Sequence, residues 1–282
     1  MIISPLSTKL NFYRVPNRSQ PLSTALAGKF HRVPIITGTN RDDGAMFTLD
    51  ASMQLSPLLY AATILCPAAL PVEACVLPPD QFSPAQRAEL LSLYPPRGFG
   101  LIDGGNARNL QQIYTDRMFT CPSRNLAASI SARGVHVFEY MFNSSVGPNS
   151  TAPRQDPFAR GANETSVTHT NELPFVFLNF DESLSQNPAS LRAPTQSNIN
   201  LGYAIGSYWR ALASAGDPNA PGGSNASGAR GRPKWPLSKN SSGEQSALLF
   251  ESPSIVTNAT GMCVRVCVCV CAPKPPFSHQ IV

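Results

Sequence analysis

The chain has 282 residues, 42% of them hydrophobic, which is enough to bury a sizeable core and too long for a small stapled scaffold. Only 14% are charged, against roughly 25% in an average soluble chain, and 27 Pro and 19 Gly point to much turn and loop; a coiled coil and a highly charged disordered chain are both excluded. The net charge of +5 is thinly spread, with no dense Lys/Arg window for phosphate neutralisation, so nucleic acid is not an expected partner, and no apolar run nears the about 20 residues of a bilayer span.

In chain order, the start MIISPLSTKLNFYRVP lacks the charged-then-apolar plan of a secretory signal. Residues 32–38, RVPIITG, form a short β-branched run ending in Gly38, Thr39 and Asn40, which predicts a buried strand emptying into the acidic turn RDDGAMF. Ser83, Pro84 and Gln86 supply the N-cap, first-turn proline and third-position amide of a helix that Pro95 stops. Residues 106–120 and 122–133 read as two helices, with Leu110, Ile113 and Arg117 on one face and Pro122 as the break. GVHVFEYMF, residues 134–142, alternates strong β-formers and predicts a second core strand. Residues 144–168 read as an exposed polar excursion, followed by THTNELPFVFLNF with a strand-like apolar anchor after its His. Leu201, Ile205, Tyr208 and Leu212 make one helical stripe running to Gly216-Asp217-Pro218, residues 217–233 read as loop, and Ala247-Leu248-Leu249-Phe250 as a last edge segment. Strand, acidic turn, helices, strand, His loop and helix in that order predict an α/β chain with its functional groups at strand carboxyl ends.

Seven cysteines are unevenly placed: Cys66, Cys75 and Cys121, then Cys263, Cys267, Cys269 and Cys271. Cys66 and Cys75 could close a small loop in an oxidising compartment, the alternative being two free core thiols. Asn-x-Ser/Thr triplets at Asn17, Asn143, Asn149, Asn163, Asn225, Asn240 and Asn258 mark glycosylation candidates and hint at the secretory pathway, although Ser- and Asn-rich loops also generate such triplets incidentally. Met262 to the last Cys reads MCVRVCVCVC; strict Cys/Val alternation is what a TG dinucleotide repeat encodes, a better account than a soft-metal site. No metal or cofactor is expected elsewhere.

Of the four histidines, His31, His136, His169 and His279, only His169 sits in a loop beside both a polar turn and an apolar anchor, which makes it the candidate base. Asp42 and Asp43 lie on a tight turn after a buried strand, where a carboxylate can hold an imidazole in one tautomer.

The motifs AGKFHRVPIITGTNRDDGAMF, YTDRMFTCPSRNLAASISARGVHVFEYMFN, HTNELPFVF, YWRALASAGDPN and KWP, in that order, resemble the carboxyl-terminal half of type-B carboxylesterases, the family of the cholinesterases and several fungal lipases. The resemblance runs from about residue 20 to 257. It implies a partial α/β-hydrolase fold over 20–260, an unassigned start at 1–19, and a Cys/Val tail at 261–282 that is foreign to the fold. It also implies a triad base at His169 and a triad acid at Asp43, where the family usually has Glu, with Asp42 as the alternative and Glu172 bracing the His loop. Cys263 stands about where the family places a partner for Cys121.

The nucleophile is missing. No Ser in the chain has Gly at both positions two away, as a Gly-x-Ser-x-Gly elbow requires; the nearest miss, Gly222-Gly223-Ser224-Asn225-Ala226, follows His169 instead of preceding the acid. A Gly-Gly-Gly oxyanion loop is absent too. The expected function is therefore a serine ester hydrolase lacking its Ser, acting on a small-molecule carboxylic ester only with the missing parts supplied. The alternative is a non-catalytic adhesion or scaffolding protein of the same fold, and a third reading, an unrelated loop-rich domain, predicts that Asp43 and His169 lie far apart. Without further strands, the faces of the sheet are expected to lie open to solvent.

Overall fold

The computed structural model describes residues 21–47, 55–71, 75–76, 82–98, 105–144, 167–180, 194–221, 232–238, 246–251 and 255–257. Outside them fall the start at 1–19, the tail with Cys263, Cys267, Cys269 and Cys271, and the sequons at Asn17, Asn149, Asn163, Asn225, Asn240 and Asn258.

Both expected strands are present, as β1 (Ile35–Asn40) and β2 (Val137–Phe142), and they pair in parallel with Ile35 opposite Val137 and Asn40 opposite Phe142. β3 (Ala247–Phe250) continues the sheet in parallel against β2, and β4 (Ile255–Thr257) closes it antiparallel, in the order β1-β2-β3-β4. The segment 247–250 is thus an interior strand and not an edge: three of its four residues are buried, as two-sided pairing requires.

The helices cover both faces. On one, Phe138, Phe142, Leu248 and Phe250 pack against Leu201, Ile205 and Tyr208 of a long helix (Gln196–Ala215) and against Phe175 of a short one (Leu173–Val176). On the other, Val137 packs with Ala25, Ala127 and Ile130, from helices Pro21–Leu26 and Cys121–Ser131. The expectation of open faces is overturned for β2 and β3, whereas the residues of β1 before Asn40 are only half-buried; among the described residues the outer edges of β1 and β4, the two end strands, have no partner strand. In chain order the helices are α1 (Pro21–Leu26), α2 (Pro57–Leu65), α3 (Pro84–Leu93), α4 (Gly105–Thr115), α5 (Cys121–Ser131), α6 (Leu173–Val176) and α7 (Gln196–Ala215).

A second core joins α2, α3 and α4 through Tyr60, Ile64, Leu90 and Ile113. α3 begins with the expected capping box, in which Ser83 accepts from the Gln86 N–H and the Gln86 side chain accepts from the Ser83 N–H. α2 was not anticipated, although Ser56 and Pro57 give it the same entry. α7 starts at a Thr195 cap with Asn198 and ends where Gly216 turns left-handed at φ 71°. The Gly-Asp-Pro-Asn turn then serves the Trp-Pro element, because Asn219 accepts from the Trp235 N–H at 2.7 Å and donates to its carbonyl at 3.0 Å. Trp235, 1% exposed, in turn donates from Nε1 to the Glu139 carbonyl at 2.8 Å.

Pro122 does not break the chain as expected. α4 passes into a π-helical turn over Asp116–Thr120, with the Cys121 N–H bonded to the Asp116 carbonyl five residues back, and α5 carries Pro122 in its first turn. One wider turn absorbs the residue whose missing N–H would otherwise end the helix. Cys66 and Cys75 form a disulfide, settling the alternative of two free thiols, and Cys121 is fully buried.

Candidate active site

Because β1 and β2 are parallel, the acidic turn after one and the chain after the other leave the sheet at the same end. The two segments are tied by backbone before any side chain meets: the Arg41 N–H donates to the Phe142 carbonyl at 3.0 Å and the Asp42 N–H to the Val167 carbonyl at 2.9 Å. Asp42 turns its own carboxylate to the Val167 N–H (2.9 Å) and to the Arg41 guanidinium (2.7 Å), away from the imidazole. Asn143, the one sequon among the described residues, is half-buried and accepts from Arg41 at 2.6 Å while donating to Glu251 at 3.0 Å.

Asp43 is the acid that meets the histidine. Its Oδ1 lies 3.0 Å from His169 Nδ1 across 126 residues of sequence, and its Oδ2 accepts the Asn40 N–H at 2.7 Å. The reading of an unrelated domain with the two side chains far apart is thereby excluded. The carboxylate is buried, whereas the His169 side chain is 42% exposed, so the imidazole is anchored at its back and open at its front. Burial pushes the Asp43 carboxyl above its ordinary value, against the Asn40 N–H and His169, which favour the ionised form. With Nδ1 occupied, Nε2 is the nitrogen left for chemistry.

His169 itself rides on a tight turn. The Asn171 N–H donates to the Thr168 carbonyl at 3.1 Å, and Thr170 holds φ 74°, a left-handed conformation that a β-branched residue adopts rarely and at a cost. The anchor that follows is not strand-like, as expected from its apolar residues, but the short helix α6, with Pro174 in its first turn and Phe175 fully buried. Glu172 leads into it and accepts from Asn40 Nδ2 at 2.5 Å, so it contacts the acid strand as a brace would. The rings of Phe119 and Phe47 lie 5.0 and 5.6 Å from the imidazole.

A cavity of about 470 Å³ opens beside this pair, bordered by Leu22, Met118, Phe119, Leu126, Tyr140 and His169 among others. The π-helical turn delivers Met118 and Phe119 to it, and the first turn of α5 delivers Ser123, whose hydroxyl is 2.8 Å from that of Thr37. Gly38 and Gly44 make the approach possible: a Cβ on Gly38 would lie 2.3 Å from the Tyr140 ring, and one on Gly44 2.2 Å from the Thr115 nitrogen. Burial, with the Glu172 and Asp43 carboxylates nearby, raises the Tyr140 phenol far above its ordinary value, so it stays protonated. The lining named for this cavity has two carboxylates and no Lys or Arg, so it suits an uncharged, largely apolar group better than an anion. Among the described residues no three His, Cys, Asp or Glu side chains gather as a metal site needs, and no helix is long and apolar enough to cross a membrane.

Sequence reasoning named Asp43, His169 and Glu172, and the structure brings all three together; it passed over Asn40, which bonds to Asp43, to Glu172 and to Thr168 beside the histidine. The one signal available was its place at the carboxyl end of β1, directly before the acidic turn.

A carboxylesterase family model matches residues 11–260. A curated protein from Dictyostelium discoideum described as "Crystal protein" is 26% identical over 166 residues, covering 58% of this chain and 26% of its own length. A solved PNB esterase superposes with a TM-score of 0.56 at 20% identity, over 85% of this chain and 39% of that one. The chain thus spans well under half the length of these relatives, and its sheet is part of an α/β-hydrolase sheet.

Proposed function

Since the chain belongs to the carboxylesterase family, we propose that it carries the acid and base of a serine ester hydrolase, Asp43 and His169, and takes its nucleophile from outside these 282 residues. The observation that carries this reading is the 3.0 Å contact between His169 Nδ1 and the buried Asp43 carboxylate at the mouth of a cavity. A Ser hydroxyl presented there would pass its proton to Nε2 as its oxygen bonded to the ester carbonyl carbon. Asp43 would steady the imidazolium, and Nε2 would return the proton to the leaving alcohol as the ester C–O bond breaks. A water, deprotonated in its turn by Nε2, would then attack the acyl-enzyme, release the acid and restore the Ser.

The substrate class is a small carboxylic ester with an uncharged, largely apolar group. The hydrolase portion is assigned to 20–260, with the Cys/Val tail at 261–282 outside it. Sequons and disulfide support passage through the secretory pathway.

The test is hydrolysis of p-nitrophenyl esters. The purified chain is expected to give no turnover above background. Co-expression with a carboxylesterase amino-terminal segment carrying Gly-x-Ser-x-Gly is expected to yield turnover that an organophosphate blocks and His169→Ala abolishes. Organophosphate-sensitive turnover by the chain alone, or activity indifferent to His169 in the complex, would overturn the proposal. A natural partner segment with Gly-x-Gly or Gly-x-Asn at the elbow would favour the non-catalytic alternative.

A further inference from the structure

We infer that Asn40 is a positioning residue, acting through its side-chain amide to hold the His169 turn against the acid strand; the inference rests on the acid–base reading above. Asn40 ends β1 and is 2% exposed. Its backbone N–H donates to Asp43 Oδ2 at 2.7 Å. Its Nδ2 donates twice, to the Thr168 carbonyl at 2.8 Å and to Glu172 Oε2 at 2.5 Å, the residues one before and three after His169. A single residue therefore fixes the acid from one side and clasps the base's turn at both ends.

The turn needs such a clasp. Thr170 sits in the left-handed region, and a strained conformation persists only where its surroundings over-determine it. Within the turn Thr168 and Asn171 bond each other and the Leu173 N–H donates to the Thr170 carbonyl at 3.1 Å, and none of these bonds reaches the acid strand. The orientation of the amide is set by chemistry: both groups opposite Nδ2 are acceptors, so the flipped amide would set oxygen against oxygen. The cost of this orientation is visible in Asn40 Oδ1, which is buried with no hydrogen-bond partner. An amide held only for packing would not forgo a bond to its oxygen so that its nitrogen could serve two acceptors on the His loop.

The test uses the full ¹⁵N-labelled chain and follows the proton on His169 Nδ1, with the Trp235 Nε1 proton, hydrogen-bonded to Glu139 on the far segment, as a control for folding. Asn40→Asp keeps the shape and the backbone bond to Asp43 but has no donor. It is expected to speed solvent exchange of the Nδ1 proton at least tenfold while the Trp235 signal stays in place. The double variant Asn40→Asp, Glu172→Gln reverses donor and acceptor between positions 40 and 172, and is expected to recover part of the protection. Should Asn40→Asp lose the Trp235 signal, Asn40→Ala carries the same comparison. Unchanged Nδ1 exchange in a folded Asn40 variant, or a double variant no better protected than Asn40→Asp, overturns the assignment. Absence of an Nδ1 proton signal from the unaltered chain would instead remove the acid–base pair itself.

Discussion

Replacing Asp43 by Asn isolates what the carboxylate does for the imidazole. Its two oxygens have two partners, His169 Nδ1 at 3.0 Å and the Asn40 N–H at 2.7 Å, and both require an acceptor when Nδ1 carries the proton. An amide of the same shape offers one acceptor and one donor group. The Asn40 N–H is fixed by the backbone, so it takes the oxygen, and the new NH₂ faces Nδ1. The neutral ring is then driven to the Nε2–H tautomer, which cannot accept a proton from a hydroxyl. A hydrogen bond to a charged group contributes about 1.5–3 kcal/mol, and about 1.4 kcal/mol is a factor of ten. The 42% exposure of the His169 side chain favours the lower end. The Nδ1–H form should therefore lead roughly tenfold in the unaltered chain and trail by a similar factor in Asp43→Asn. Long-range ¹H–¹⁵N correlation at about pH 9, where an ordinary imidazole is neutral, reads the tautomer directly. In the complemented esterase the same exchange should lower kcat by about 10⁴, the effect it has on a Ser-His-Asp protease. The same tautomer in both proteins would refute the claim that Asp43 places the proton.

Three further outcomes follow from the packing. Gly44→Ala forces a Cβ to within 2.2 Å of the Thr115 backbone nitrogen, which should cost about 3 kcal/mol or more; a urea midpoint unchanged from the parent would contradict this close approach. Burial holds the Glu139 carboxyl above its ordinary value of 4.5, against Ser238 and Arg124, so the folded state prefers the proton. That stabilisation is complete below the ordinary value and is lost as pH rises through the raised one, so Glu139→Gln should gain on the parent as pH rises above the ordinary 4.5; urea midpoints at rising pH check it, and a constant or shrinking difference would count against it. Cys75→Ser opens the disulfide to Cys66, nine residues away, with an expected loss of about 2.5 kcal/mol by the chain-entropy model. Calorimetry of the variant measures that loss, and an unchanged midpoint would show the bridge to be without effect on stability.

What the sequence disclosed and what it withheld divide along a physical line. β1, β2, α3 and α7 were legible because local signals and tertiary demands agree there: runs of β-formers packed against helices, a Ser-Pro-x-Gln cap, an apolar stripe ending at Gly216, although β1, expected to be buried, is half-buried up to Asn40. Pro122 misled because its usual effect depends on a normal α-helical repeat, and a π-helical turn at Asp116–Thr120 removes the conflict. That turn is held by long-range bonds, Tyr94 donating to the buried Asp116 and Gly44 to Thr115, which no local window contains. Residues 173–176 look strand-like by composition but lie next to a turn that fixes their entry, and one helical turn buries Phe175 where an extended chain would not. The segment 247–250 read as an edge because β4 is too short to signal its presence. At the site, Asp43 and His169 were found by residue type and motif, whereas Asn40 was passed over because its function lies in contacts made across 128 and 132 residues.

The same contacts bear on where a nucleophile would have to arrive. Among the described residues, the bonds that orient Asp43 and His169 come from β1, the acidic turn and the His loop. The cavity in front of them is bordered by Gly38, Thr39 and Asn40 at the carboxyl end of β1, the strand whose outer edge is unpaired among the described residues. In a parallel sheet, reactive groups sit at strand carboxyl ends. A Ser-bearing turn that reaches Nε2 must therefore come in beside β1, on a strand running in the same direction, and the addition of such a strand would also cover the open edge of β1. Catalytic completion and closure of the sheet are thus expected to occur together: in the co-expression assay, protection of β1 amides from solvent exchange should rise in the same preparations that gain esterase turnover. Turnover without added β1 protection would show that the nucleophile reaches His169 by another route.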